Sequence, residues 1–178
     1  IWLVLLNLPP NLRYLPENIF LVGIIPGPEK PSTDQINHAI RLLVIVLLEF
    51  WNPGVFFSRT YEHRFGKRFL AMLIPFIADM LAARQIIGLP GTTTAHYCCT
   101  FCDIDIDDLD VFEPSVWPTK DVRHIRNIAS QYKAAPNEKA QQTLFDAYGI
   151  RWTPLLDLPY WDPIRYTVID SMHALDLN

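Results

Sequence analysis

The sequence contains little cysteine and no excess of basic residues, and each shortage excludes a class of protein. Only 3 cysteines occur among 178 residues, which is too few for a scaffold built on disulfides. The formal net charge of -4 argues against a dedicated nucleic-acid-binding module, because such modules are usually basic. It does not exclude a nuclease core, since catalytic cores carry carboxylates for metal ions.

Long hydrophobic runs are also missing. The apolar run 42–48 is far shorter than the roughly 20 residues that a membrane-spanning helix needs. Residues 1–8 are apolar but lack a basic segment and a cleavage site, so they do not predict a signal peptide. We therefore expect a protein that is neither secreted nor held in a membrane.

Apolar side chains are abundant. Half of the residues are hydrophobic and 12% are aromatic, which is enough to build a core and argues against disorder. The sequence has 15 prolines but only 7 glycines, and this imbalance predicts many fixed turns and long irregular connections.

Apolar runs that stop at turn residues predict the strands. Residues 1–6 and 18–25 are almost continuously apolar, which is typical of central strands covered on both faces. The segment 67–79 predicts another strand with an aspartate at its end, and 166–169 predicts a short one. The predicted class is mixed α/β.

Helices are predicted where apolar residues recur every three to four positions. Residues 32–34 offer three possible caps for a helix over 35–51, although β-branched residues at its centre leave a strand open there. The other predicted helices cover 80–87, a polar stretch that Thr119 can cap, a stretch that ends at Tyr148 before Gly149, and 170–177.

Asp79 is the first candidate for chemistry. A carboxylate at the carboxyl end of a strand stands where open α/β sheets place their sites, and two-metal phosphoryl transfer needs such ligands. The competing and more common role of an aspartate at this position is to cap the helix that follows.

Cys99 and Cys102 are the second candidate. Their C-x-x-C spacing lets both thiolates face one ion and forms half of a tetrahedral zinc site. His96 and the distant His173 are candidates for the remaining ligands, while a pair of buried free cysteines is the equally weighted alternative.

Asp170 and His173 are the third candidate. Three positions apart on a helix, they share a face, so they can share a metal ion or the aspartate can orient the histidine. The more common alternative is that Asp170 caps a helix and His173 is a partly buried polar residue.

Six segments of the sequence form a larger pattern that includes these motifs. They are residues 7–10, 12–14, 17–28, 48–54, 158–163 and 170–173. In this order they resemble the CACTA-class DDE transposases of mushroom-forming fungi, the plavaka-like family of basidiomycetes. The resemblance covers nearly the whole chain, and the long strings are specific to the family.

The resemblance implies an RNase H-like fold in which three acids bind two Mg²⁺ (or Mn²⁺) ions. It implies a nuclear protein, oligomeric when full length, that cleaves transposon ends and transfers them into target DNA. Asp79 would be the second catalytic acid, and Asp170 with His173 a signature that supports the site. Cys99 and Cys102 would bind structural Zn²⁺ with histidines further along.

The family's first catalytic Asp is expected before Ile1 and its catalytic Glu after Asn178. We therefore expect residues 1–178 to form one partial domain, truncated at both ends and inactive alone, with 92–150 as a helical and zinc-knuckle insertion. The apolar stretch 43–48 is also more continuous than in the family.

Two other functions stay open. One is a zinc-stabilised interaction module without catalysis. The other is a self-contained metal-dependent hydrolase that uses Asp79, Asp170 and His173, which requires the two aspartates to reach shared metal ions.

Overall fold

The computed structural model describes residues 1–91, 96–111, 113, 115 and 117–176. The helices in these residues are α1 (Pro10–Arg13), α2 (Thr33–Trp51), α3 (Met80–Ile86), α4 (Val122–Ala134) and α5 (Glu138–Tyr148). The strands are β1 (Trp2–Val4), β2 (Ile19–Leu21), β3 (Val55–Phe57), β4 (Lys67–Phe69), β5 (Phe76–Ala78) and β6 (Thr167–Ile169). The mixed α/β class is confirmed.

The strands form three separate pairs within the described residues. β1 pairs with β2 and β3 with β4, both antiparallel, whereas β5 and β6 are parallel. Of these pairs, only β5 and β6 come from distant parts of the sequence. A parallel pair requires this, because its strands are joined by a long crossover connection.

The first two predicted strands exist, but the prediction that both of their faces are covered is wrong. Trp2 on β1 is 63% exposed and Phe20 on β2 is 65% exposed. A continuous apolar run predicts a strand, but it does not say what lies against that strand. Here each of the two strands pairs only with the other among the described residues.

The segment 67–79 is not one strand, as predicted, but two. β4 pairs with β3, and β5 pairs with β6 on a different sheet. Pro75 lies directly before β5 and has no backbone N–H to donate to a strand ladder, so this strand begins only after it. The prediction that Asp79 directly follows a strand is confirmed.

Helix α2 carries the first core. Ser32 and Gln35 form a capping box, in which the Ser32 hydroxyl accepts from the Gln35 N–H and the Gln35 amide oxygen accepts from the Ser32 N–H. The strand alternative at its centre is therefore wrong. Its buried face packs against the proline- and tryptophan-rich segment that follows α5, and this core contains Ile36, Ile40, Val44, Leu47, Leu155, Leu158 and Trp161.

Helix α4 carries the second core. The buried residues of this core are Ile87, Leu89, Ile125, Ile128, Ala129, Ile150 and Ile164. The cap of α4 is Asp121, which accepts from the Arg123 N–H at 2.9 Å, and not Thr119 as predicted. Gly149 ends α5 with a left-handed φ of 64°, as the sequence predicts.

After β6, Ser171 is helical and a π-helical segment follows over Met172–Asp176, within the region predicted as a helix. No helix among the described residues combines the length and the apolar character needed to cross a bilayer.

Candidate metal sites

Asp79 joins strand β5 to helix α3. Its Oδ1 accepts a hydrogen bond from the Ala82 N–H at 2.9 Å, so the side chain caps the helix as the more common role predicts. This bond uses one carboxylate oxygen and gives the side chain a fixed orientation at the carboxyl end of the strand. Capping and metal binding are therefore compatible for this residue.

Asp170 occupies the equivalent position after β6. In the parallel register Ala78 is the partner of Ile169, and the Asp170 N–H donates to the Ala78 carbonyl at 2.8 Å. The two aspartates thus follow paired residues on adjacent strands, which lie about 4.8 Å apart in a sheet. The structure brings Asp79 and Asp170 together at one edge, where open α/β sheets place their ligands.

His173 lies beside Asp170. The distance from His173 Nδ1 to Asp170 Oδ2 is 2.5 Å, and the Met172 N–H reaches the other carboxylate oxygen at 3.3 Å. The hydrogen bond from His173 holds the pKa of Asp170 below its ordinary value, and the Met172 N–H acts in the same direction. The histidine is thus oriented by the aspartate, one of the two roles predicted for the pair.

Two carboxylates and an imidazole suit a divalent cation that takes oxygen and nitrogen ligands. Among the described residues, however, no three acidic, histidine or cysteine side chains are arranged to hold a metal ion. The two carboxylates at the edge that Asp79 and Asp170 share would therefore form only part of a coordination sphere.

The Cys99–Cys102 segment, called the knuckle below, turns two of its backbone amides toward the first sulfur. Cys99 Sγ accepts hydrogen bonds from the Cys102 N–H at 3.2 Å and from the Phe101 N–H at 3.4 Å. Burial opposes ionisation of Cys99, but these amides, the Cys102 thiol and the Lys120 ammonium outweigh it, so the Cys99 pKa is lowered. Burial and the neighbouring Cys99 raise the pKa of Cys102.

Two cations that sequence reasoning missed hold the knuckle in place. Arg84 on α3 is 1% exposed and donates to the carbonyls of Pro90 at 2.6 Å and Cys98 at 2.8 Å. Lys120 is 9% exposed and donates to the Cys102 carbonyl at 2.7 Å. Helix α3 therefore carries Asp79 at its first end and an anchor of the knuckle near its last.

The only sequence signal for Arg84 was its place on a short apolar helix, where a charged side chain needs buried partners. Burial lowers the pKa of Arg84, while the nearby sulfurs of Cys99 and Cys98 act in the opposite direction. No carboxylate among the described residues forms an ion pair with this guanidinium.

The histidines proposed as further zinc ligands contact aspartates instead of the knuckle. His96 Nδ1 lies 2.6 Å from Asp105 Oδ2, and its side chain is 75% exposed. His173 lies against Asp170 at the other site. The thiol of Cys98 donates to the Ile104 carbonyl at 3.7 Å. Among the described residues, the Cys99–Cys102 pair is therefore not joined by a histidine in a group that could hold a metal ion.

No protein-family model, no curated protein and no solved structure has significant similarity to this chain. The function is therefore inferred from the geometry of the two sites and from the sequence segments that resemble the transposase family.

Proposed function

We propose that this chain is part of the catalytic core of a CACTA-class DNA transposase with an RNase H-like fold. One observation carries the proposal, namely the parallel pairing of β5 and β6, which brings Asp79 and Asp170 to the same sheet edge. A metal-dependent phosphoryl transferase needs this convergence of acids from distant parts of the chain. In the full-length protein the substrates would be transposon ends and target DNA, and the compartment the nucleus.

Asp79 and Asp170 are the residues that would hold Mg²⁺ or Mn²⁺ at this edge. When bound, such ions activate the attacking oxygen and stabilise the leaving oxygen of a phosphodiester. The bond from Ala82 to Asp79 and the bond from His173 to Asp170 orient the two carboxylates without a metal ion. Two acids do not complete a two-metal site, so we propose that this chain is inactive alone.

Cys99 and Cys102 would hold structural Zn²⁺. The donor set fits, because backbone amides already stabilise the Cys99 sulfur in its thiolate form. The knuckle would stabilise the segment that follows α3 and so keep the helix capped by Asp79 in position.

A Mn²⁺ titration of the ¹⁵N-labelled chain tests the acid pair. Bound Mn²⁺ should broaden the amide resonances around Asp79 and Asp170, and Asp79→Asn or Asp170→Asn should abolish the effect. Asp107→Asn is the matched control, because Asp107 is exposed and lies in the acidic stretch after the knuckle. Broadening centred on that stretch, or broadening that survives both site variants, would contradict the assignment.

The zinc content of the purified chain tests the knuckle. Zinc should be present in the Cys98→Ser control and absent when Cys99 and Cys102 are both changed to serine. Equal zinc in all three proteins, or none in the unchanged protein, would remove the zinc assignment.

The anchoring of the knuckle also supports a second function, a zinc-stabilised interaction module without catalysis. Arg84 and Lys120 connect the knuckle to the fold whether or not the acids bind metal. Such a module would bind zinc but not Mn²⁺ at Asp79 and Asp170. Hydrolysis of a phosphodiester by this chain alone would instead favour the self-contained hydrolase.

A further inference from the structure

The hairpin formed by β3, β4 and their loop, residues 55–69, differs in charge from the rest of the chain. It contains four cationic residues and one carboxylate, a net charge of +3, whereas the whole chain carries -4. The remaining residues therefore carry -7. The same stretch contains five aromatic residues. Clustered cations with interleaved aromatic rings are the composition of surfaces that bind a nucleic-acid strand.

The aromatic rings at the tip of the hairpin are presented to solvent. Tyr61 is 102% exposed and Phe65 is 98% exposed, while Phe56 and Phe57 on β3 are 57% and 45% exposed. Single exposed apolar residues are ordinary on a protein surface, but four exposed aromatic rings in one short hairpin are typical of an interaction site. Membership in either hydrophobic core cannot explain these rings.

The loop that carries these rings is ordered by its own hydrogen bonds. The Thr60 N–H donates to the His63 carbonyl at 3.0 Å, and the His63 N–H donates back to Thr60 Oγ1 at 3.0 Å. Gly66 has a φ of +84°, and a Cβ at this position would overlap the ring of Phe56. A preformed loop loses little conformational entropy when a ligand binds.

Three of the four cations of the hairpin, the arginines, divide into two groups. Arg68 donates to the carbonyls of Pro53 at 3.1 Å and Gly54 at 3.0 Å, so it fixes the base of the hairpin. Arg59 and Arg64 make no hydrogen bond or ion pair with any described residue, so their guanidinium groups are available to a ligand. A planar guanidinium matches the geometry of a phosphate group.

We infer that the 55–69 hairpin binds unpaired nucleic acid, with bases stacking on Tyr61 and Phe65 and phosphates contacting Arg59 and Arg64. A single strand fits better than a duplex, because its bases have faces free for stacking. A membrane surface fits less well, because Glu62 follows Tyr61 at the tip and a carboxylate is costly to insert into a bilayer. The inference rests on the proposed function only in expecting DNA rather than RNA.

The test is fluorescence anisotropy of the full chain with labelled oligothymidine of about 15 nucleotides, enough for one site. Tyr61→Ala combined with Phe65→Ala should raise the dissociation constant tenfold or more, because each ring offers a stacking surface to one base. Phe20→Ala combined with Lys139→Ala is the control, because it removes an exposed ring and an exposed cation outside the hairpin. It should leave the dissociation constant unchanged. Circular dichroism checks that each variant is folded.

The salt dependence separates the two kinds of contact. Arg59→Ala combined with Arg64→Ala should make the slope of log affinity against log salt shallower by about 1.4, since each phosphate contact on a single strand contributes about 0.7. The aromatic variant should lower affinity without changing this slope. Variants that bind like the unchanged protein, or an unchanged protein that does not bind, would overturn the inference.

Further binding measurements identify the class of ligand. Oligouridine in place of oligothymidine separates RNA from DNA, and a duplex of equal length should bind more weakly. If vesicles containing phosphatidylserine bind in a way that depends on Tyr61 and Phe65 while oligothymidine does not, the hairpin contacts membranes and the inference is wrong. The buffer contains no divalent metal, so a failure here leaves the Mn²⁺ result at Asp79 and Asp170 intact, and the reverse also holds.

Discussion

Arg84→Met is the substitution whose effect the structure defines most closely. Methionine keeps most of the side-chain volume but removes a guanidinium that is 1% exposed. Besides Pro90 and Cys98, the guanidinium also donates to the Tyr97 carbonyl, so three backbone acceptors between α3 and the knuckle lose their partner. A hydrogen bond to a charged group contributes about 1.5–3 kcal/mol. The loss of these bonds would therefore lower the free energy of unfolding by several kcal/mol at most.

Relief of the buried charge offsets part of that loss, because no carboxylate pairs with Arg84 among the described residues. We therefore expect the free energy of unfolding to fall by about 3 kcal/mol. With a urea dependence of about 2 kcal/mol per molar, the unfolding midpoint should fall by about 1.5 M.

Equilibrium urea unfolding followed by tryptophan fluorescence measures this change. Arg123→Met is the matched control, because Arg123 is exposed and its guanidinium makes no hydrogen bond to the described residues. The control should stay within about 0.5 kcal/mol of the unchanged protein. Equal midpoints for the Arg84 and Arg123 variants would refute the anchoring role of Arg84.

Three further predictions concern the sites and their support. Asp79→Ala should lower the free energy of unfolding by about 1 kcal/mol, whereas Asp79→Asn should leave it nearly unchanged because asparagine caps equally well; urea unfolding that shows equal losses would contradict the capping role. Gly149→Ala should lower the free energy of unfolding by about 2 kcal/mol, as measured by thermal unfolding, because φ is 64° and the new Cβ would overlap the ring of Tyr97. The hydrogen bond from His173 lowers the pKa of Asp170, so its stabilising effect is present above the ordinary pKa of about 3.9 and is lost as the pH falls through the lower folded value. In a carboxyl NMR titration, His173→Gln should therefore move the Asp170 midpoint up, and an unmoved midpoint would exclude this cause.

Local features of the chain could be predicted well. Helix α2 was predicted within two residues of its start and at its last residue, because the Ser32 cap and the apolar stripe lie within the helix itself. Gly149 was predicted as the end of α5 for the same reason. The burial of β1 and β2 was predicted wrongly, since what covers a strand is decided by distant segments.

At the candidate sites, too, local features could be predicted and contacts between distant segments could not. The sequence identified Asp79, Asp170 and the Cys99–Cys102 pair one by one, from strand ends and spacing. It also contained the charge and aromatic cluster of the 55–69 hairpin, but which of those rings and cations are exposed is known only from the fold.

Local patterns are enough to predict the Ser32 cap, the helix end at Gly149, the apolar helical stripes and the residue types at each candidate site, because these depend on neighbours a few positions away. The pairing of β5 with β6, which gives Asp79 and Asp170 a shared edge, and the anchoring of the knuckle by Arg84 and Lys120 are evident only in the folded chain. These contacts join segments that are far apart in the chain. Such contacts form only when the packing of the whole core outweighs the entropy cost of closing the loops between them.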